Sequence, residues 1–362
     1  MTSDAASSDA ATPGAATSET ATPETATSDA GANAEAAAVP ARTPESGADP
    51  DLTGNSGDAE NTGPSSGTGS AAPARLAVAK TCKLYIGGAF PRSESGRVRP
   101  VHDASGAFLG NVAEASRKDA RDAVSAARKA FPGWSGATAY NRGQVLFRIA
   151  EVMEGRRDQF RAEVAAAEGV GPAAAASLVD TAIDRVVWFA GWTDKIATAL
   201  GSVNPVAGPY FSFSVPEPTG VVAVLAPQES ALLGLVSVLA PALAAGNTCV
   251  VVAAAERPLP AVALSEVLAT SDVPPGAVNL LTGHAAEPAR WLATHADVNA
   301  LDPTGAPPQL RAELEAAAAG TIKRVLPVRS PHGAEPDWTA PPGIDRLRAC
   351  TELKTVWHPI GT

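Results

Sequence analysis

From Val221 onward the chain alternates short apolar runs with longer helical ones, and this constrains the fold more than any other feature. The short runs are Val221–Leu225 (VVAVL), Thr248–Val252 (TCVVV), 277–281 (AVNLL) and 298–301 (VNAL). Between and after them the spacing of apolar residues predicts helices over 230–245, 258–270, 286–295 and 308–319. Runs that are apolar throughout suit strands covered on both faces, which is the condition of a parallel sheet. Strand–helix alternation at this spacing means βαβ units. The expected class is therefore α/β, a Rossmann-like parallel sheet with flanking helices. Such sheets bind ligands outside the carboxyl ends of their strands. VLAPQESALLG, residues 224–234, is one such end, with the turn Gln228-Glu229-Ser230 between strand and helix.

Upstream, KLYIGGAF (83–90) reads as a strand and a Gly-Gly turn. Ser116 and Asp119 form an S-x-x-D capping box, and Ala120, Ala123, Val124, Ala127, Ala130 and Phe131 share one helical face. Pro132-Gly133 is expected to end that helix. A second helix is predicted over about 141–156, a third from about Phe160, and a fourth carrying VVWFAGWTDKIA. Residues 329–346 are rich in Pro and Gly and read as a linker, and TELKTVWH (351–358) alternates like a short strand.

Residues 1–75 hold 11 Asp and Glu against two Arg, which is −9 of the chain's formal −10. The remainder is nearly neutral, so the acidity says nothing about a charged substrate, and no nucleic-acid patch is expected. No aromatic residue precedes Tyr85, and the composition is Ala, Thr, Ser, Pro, Gly and acid. Such a segment cannot bury enough apolar surface to offset its chain entropy, so residues 1–76 are expected to form a disordered, solubilising tail. The apolar stretch 221–255 is broken by Gln228-Glu229, Pro241 and Gly246-Asn247, which excludes a membrane span. Three cysteines, Cys82, Cys249 and Cys350, with no CxxC, fit a reducing, cytoplasmic setting. The five histidines have no ligand spacing, and no metal site is expected.

PEPTGVVAVLAP, LAPALAAGNTCVV and VPPGAVNLLTG together resemble the cofactor-binding half of the aldehyde dehydrogenase superfamily. KLYIGGAF, FAGWTDKI and ACTELKTVWHPIG fit the same pattern in the same order. The resemblance divides the folded part into a cofactor-binding domain over 82–328, a linker over 329–346 in place of the catalytic domain, and a C-terminal bridging strand over 347–362. It implies a cysteine thiolate that attacks an aldehyde, an Asn and a backbone N–H that hold the oxyanion, hydride transfer to NAD(P), and a Glu that activates water. The domain that would carry the nucleophile has no room between Val328 and Arg346.

The family's other marks are replaced. Its Pro-Trp-Asn turn falls on Pro227-Gln228-Glu229, and a carboxylate at 229 has the wrong charge to hold an oxyanion. Its cofactor Lys falls on Val252, and the Pro and Glu beyond it on Ala253 and Ala255. Its Gly-Ser turn falls on Gly305-Ala306, followed by Pro307 and Pro308, which lack N–H donors. Its general base falls on Val328. Cys249 lies in an apolar strand, Cys350 in the terminal strand and Cys82 at the tail's edge, so no catalytic residue is assigned. The positions left to face a dinucleotide are Ala226, Pro227, Gly283, Thr304 and Gly305. NAD(P) is the cofactor the resemblance implies, weakened by these losses. The expectation is a pseudoenzyme, a regulatory or scaffolding subunit of a complete aldehyde dehydrogenase. It would be reached through the arm GPYFSFSVPEP (208–218) and the terminal strand, as a hetero-oligomer. The alternatives are an NAD(P)-sensing module and a residual oxidoreductase.

Overall fold

The computed structural model describes residues 78, 80–328 and 335–361. The expected tail over 1–76 and residues 329–334 of the expected linker lie outside the described residues. In chain order the elements are β1 (Thr81–Cys82), β2 (Val98–His102), β3 (Phe108–Ala113), α1 (Arg117–Gly136), α2 (Ala139–Gly155), α3 (Arg157–Glu168), α4 (Pro172–Ala190) and α5 (Ile196–Leu200). There follow β4 (Ser202–Asn204), β5 (Tyr210–Pro218), β6 (Val221–Leu225), α6 (Leu233–Ala244), β7 (Thr248–Val252), α7 (Leu259–Leu268) and β8 (Val278–Leu281). The chain continues with α8 (Ala286–Thr294), β9 (Ala300–Asp302), α9 (Pro308–Ala319), β10 (Arg324–Val325), α10 (Asp345–Ala349) and β11 (Thr351–Pro359).

The central sheet is parallel, in the order β10-β9-β6-β7-β8. Strands β6 to β9 are buried at every position because both faces are covered, while the edge strand β10 is half-buried. Val222, Val224, Cys249, Val251, Leu280 and Ala300 enter a core shared with α2, α4, α6 and α7. Their neighbours Val221, Ala223, Leu225, Val250, Val252 and Leu281 enter a second core shared with α1, α8 and α9. Successive side chains of a strand point to opposite faces, so each residue finds one core or the other. Helix α6 is buried along its whole length, as its uniformly apolar sequence requires. Among the described residues no helix is long and apolar enough to cross a membrane.

Two local expectations are corrected. Helix α1 keeps its capping box, with Ser116 Oγ accepting from Lys118 and Asp119 N–H, but it runs through Pro132 to Gly136. The proline removes one helical hydrogen bond, while Trp134 in the turn beyond is buried in the core and holds that turn in place. KLYIGGAF forms no regular strand. Tyr85 instead exchanges both main-chain hydrogen bonds with Leu280 at the edge of the sheet, at 2.9 and 2.6 Å. Ile86 pairs with Ala89 around Gly87 and Gly88, both at positive φ.

A separate antiparallel sheet has the order β11-β5-β4. Strands β11 and β5 pair over nine positions, from Thr351 opposite Pro218 to Pro359 opposite Tyr210. Asn247 is one of the residues that join this sheet to the central one. Asn247 is fully buried; its Oδ1 accepts from Gly220 N–H at 2.9 Å, and its Nδ2 donates to Ala242 O at 3.0 Å and Cys350 O at 2.9 Å. The three partners are the start of β6, the end of α6 and the residue before β11. Asn247→Ala leaves buried donors and acceptors unmet, each costing about 1–3 kcal/mol. Urea unfolding of this variant is expected to show a loss of about 3 kcal/mol or more; a loss under about 1 kcal/mol would contradict the role assigned to the carboxamide.

Candidate functional site

Strands β6 and β9 are neighbours, and the chain leaves them toward opposite faces of the sheet, to α6 and α9. This is the switch point at which α/β sheets open a crevice. Here the two strand ends touch. Gly305 N–H donates to Leu225 O at 2.9 Å, and a Cβ at 305 would lie 1.8 Å from Ala226 O, so only glycine fits. Ala226, Pro227, Thr304 and Gly305 are thus brought together. Gly283 is placed beyond β8, with β7 intervening, at φ +109°. There it packs against Glu114, whose Oε1 accepts from His284 N–H at 2.9 Å.

The crevice is bridged by the chain's own side chains. Gln228 spans the ends of β6 and β7, donating from Nε2 to Ala226 O at 2.6 Å and accepting from Ala255 N–H at 2.9 Å. The main-chain N–H groups of Gln228 and Glu229 both donate to Glu335 Oε1, the second at 3.0 Å. Glu335 Oε2 accepts from Trp338 Nε1 at 3.0 Å. The Glu229 side chain is exposed, while its carbonyl accepts from Arg257.

Beside this turn, Asp302 ends β9 with its carboxylate 1% exposed. Arg346 of α10 pairs with it at 2.6 Å and donates to Thr304 Oγ1 at 3.0 Å. Thr304 donates back to Asp302 Oδ1 through both N–H and Oγ1. The Arg346 guanidinium lies 5.4 Å from the centre of the Trp338 ring, in cation–π range. Residues 335–349 are therefore pinned over the strand ends by the Glu335 carboxylate, which accepts from the 228–229 main chain, and the Arg346 guanidinium, which pairs with Asp302.

The positions that lack the family's polar groups are packed rather than open. Val252 and Ala306 lie in the core formed by α1, α8 and α9, and Val328 is half-buried. Helix α9 begins with Pro307 and Pro308 and has no side-chain cap. All three cysteines are free and buried. Burial, with the Asp302 charge adding to it, pushes the Cys350 thiol up to about 12. Burial also raises Cys249 well above the ordinary thiol range, and it raises Cys82 against the opposing pull of Lys80. A thiol acts as a nucleophile only as thiolate, so none of the three is poised to attack at neutral pH.

The aldehyde dehydrogenase family profile matches residues 90–327. The chain belongs to the aldehyde dehydrogenase family. It is 36% identical over 255 residues to retinal dehydrogenase 2 of Gallus gallus, an alignment covering 68% of this chain and 48% of that relative. Among solved structures, HpcC from Thermus thermophilus superposes with a TM-score of 0.64 at 29% identity, covering 69% of this chain and 48% of that one. The NAD+ complex of an aldehyde dehydrogenase from Bacillus cereus gives 0.64 at 25% identity, covering 68% and 50%. The chain spans about half the length of the curated relatives it matches.

Several site residues escape sequence reasoning. Glu335 and Arg346 act across 106 and 44 residues, and no local pattern marks them. Arg185 is the exception: a charge within the apolar stripe Ala182, Val186 and Phe189 of α4 is a visible signal. Glu168 supports the 228–230 turn by accepting from Ala231 N–H at 2.7 Å.

A thiol reagent is expected to find no fast-reacting cysteine in the folded protein and all three after denaturation. A fast native thiol would overturn the burial argument. Glu168 has its carboxyl raised above the ordinary range by burial, only partly opposed by the Ala231 hydrogen bond and Arg257. The folded state then holds this proton more tightly than the unfolded one. Its contribution is most favourable at acid pH and is lost as pH rises from the ordinary carboxyl value through the raised one. Glu168→Gln keeps the acceptor and removes the charge. Its melting point is expected to exceed that of the parent near pH 7 and to match it near pH 4. A variant less stable at neutral pH would refute this.

Proposed function

We propose that this chain is a non-catalytic member of the aldehyde dehydrogenase family and serves as a regulatory or scaffolding subunit of a complete aldehyde dehydrogenase. The observation that carries this reading is the occupied strand-end crevice, where Glu335 takes the main-chain donors of 228–229 and Arg346 seals Asp302 and Thr304. An oxyanion or pyrophosphate needs free donors of that kind. The buried, protonated cysteines support the same conclusion, as does the linker read between Val328 and Arg346 in place of a catalytic domain.

The route to a partner is the β11-β5-β4 sheet. Strand β11 lies at its edge, and Leu353, Trp357, Tyr210, Phe211 and Val203 are exposed on it. An exposed edge with apolar side chains is a template for pairing with another chain. Its occupant on this reading is an aldehyde dehydrogenase subunit that keeps its catalytic half. Co-expression with such an enzyme is expected to give a co-purifying complex that Trp357→Asp with Leu353→Asp disrupts. Recovery of the chain alone, with the enzyme in a separate peak, would sink the proposal.

Cofactor binding separates this reading from an NAD(P) sensor. A ligand held at 100 times its dissociation constant stabilises by about 2.7 kcal/mol. Millimolar NAD or NADP is expected to leave the melting point unchanged, and a shift of several degrees would favour the sensor.

A further inference from the structure

A cavity of about 520 Å³ lies beside the closed crevice, between the amino-terminal half of α6, the carboxyl-terminal part of α4, the β10 end and residues 336–349. That volume suits a small organic ligand. Its decisive lining residue is Arg185, whose residue surface is 6% exposed. The guanidinium donates to Ser237 Oγ at 3.0 Å, Trp338 O at 2.8 Å and Ala340 O at 2.9 Å, all of them neutral acceptors. Among the described residues no carboxylate pairs with it. Burial lowers its proton affinity, yet an arginine stays charged at any ordinary pH. A buried charge is normally met by an opposite one.

The remaining charges on the cavity wall do not supply it. Arg324 and Arg346 line the cavity but are already paired with Glu352 and Asp302. Arg348 also lines it and makes no side-chain hydrogen bond or ion pair among the described residues. Asp337 holds its own turn by accepting from Thr339 N–H at 2.9 Å and Oγ1 at 2.6 Å, and Asp345 is likewise engaged. Phe189, Trp338, Pro341 and Pro342 make the rest of the wall apolar.

We propose that this cavity binds a small organic carboxylate with an apolar body, its carboxylate on Arg185 and its body against Phe189, Trp338 and the prolines. Arg185 spends both Nη2 hydrogens and one Nη1 hydrogen on neutral acceptors, which leaves Nε–H and one Nη1–H, on different edges of the guanidinium, to meet a ligand oxygen singly. One detail favours a carboxylate over a phosphate: Asp337 and Asp345 on the wall repel a dianion more than a monoanion. Arg346 and Trp338 are shared with the closed β6–β9 crevice, while Arg185, Ser237 and Phe189 lie outside it, so the anion site does not depend on whether the chain is catalytic.

Isothermal titration of the full chain with 4-phenylbutyrate, 4-phenylbutanol and inorganic phosphate tests the proposal. The carboxylate is expected to bind, the alcohol at least tenfold more weakly, and phosphate without competing. Arg185→Met is expected to weaken phenylbutyrate at least tenfold. Arg348→Ala, at an exposed position on the cavity wall, is expected to weaken it about threefold. Equal binding of acid and alcohol, displacement by phosphate, or unchanged affinity in Arg348→Ala would each overturn the proposal. No binding across unbranched and phenyl-substituted acids of four to ten carbons would do the same. Should Arg185→Met fail to fold, the acid–alcohol comparison and Arg348→Ala still decide the matter.

Discussion

The carboxylate of Asp302 is buried at the carboxyl end of β9, and a charge in that position must be met. Arg346 meets it at 2.6 Å from beyond the connection that follows β10. Removing one partner of such a pair typically costs about 3–5 kcal/mol, because the other is left buried and uncompensated. The pair therefore settles where residues 335–350 lie. With Arg346 in place, Cys350 O reaches Asn247, and Thr351 O reaches Arg324 at 2.8 Å. The next residues then enter the nine-position ladder with β5. One buried charge thus sets the cover over the strand ends and the start of the outer sheet.

Four strands of the central sheet, β6 to β9, were legible in the sequence because each of their residues is buried, whereas the two-residue, half-buried edge strand β10 was not foreseen. Val221–Leu225 and Thr248–Val252 coincide with β6 and β7 residue for residue. The helix expected over 230–245 starts later, at Leu233. The main-chain donors of 228, 229 and 231 are bound by Glu335 and Glu168, which holds that stretch as a turn. The hairpin β2–β3 was not foreseen, since VRPVH carries little apolar alternation and its pairing has a bulge at Val101/His102. Four of the five residues expected near a dinucleotide meet at one point because strand ends and glycine turns are local features. The residues that close the crevice are not local, and a single sequence has no periodicity that reports a contact between Glu335 and the turn at 228–229.

The closed crevice keeps the electrical preference of an open one. The 228–229 turn still presents two adjacent N–H groups, and an anion still sits on them. That anion is part of the same chain. A tethered carboxylate competes at an effective concentration of about millimolar or above, so an external anion at this point must first displace it. Val252 and Ala306 add nothing to help, since they are buried among apolar neighbours where a polar side chain would hold a cofactor.

Counting charges across this face shows where chemistry is still available. Asp302 is answered by Arg346, Glu335 by main-chain donors and Trp338, and Arg324 by Glu352. Among the described residues Arg185 is answered only by neutral oxygens, two of them carbonyls of the segment that covers the strand ends. The guanidinium thus does two things at once: it fastens the cover and leaves a positive charge facing the cavity beneath it. A ligand carboxylate there would neutralise the charge without breaking those two hydrogen bonds, so binding would tighten the cover rather than lift it. On the proposed binding mode, occupancy of the cavity and closure of the crevice would be coupled with the same sign, because both rest on the position of residues 335–349.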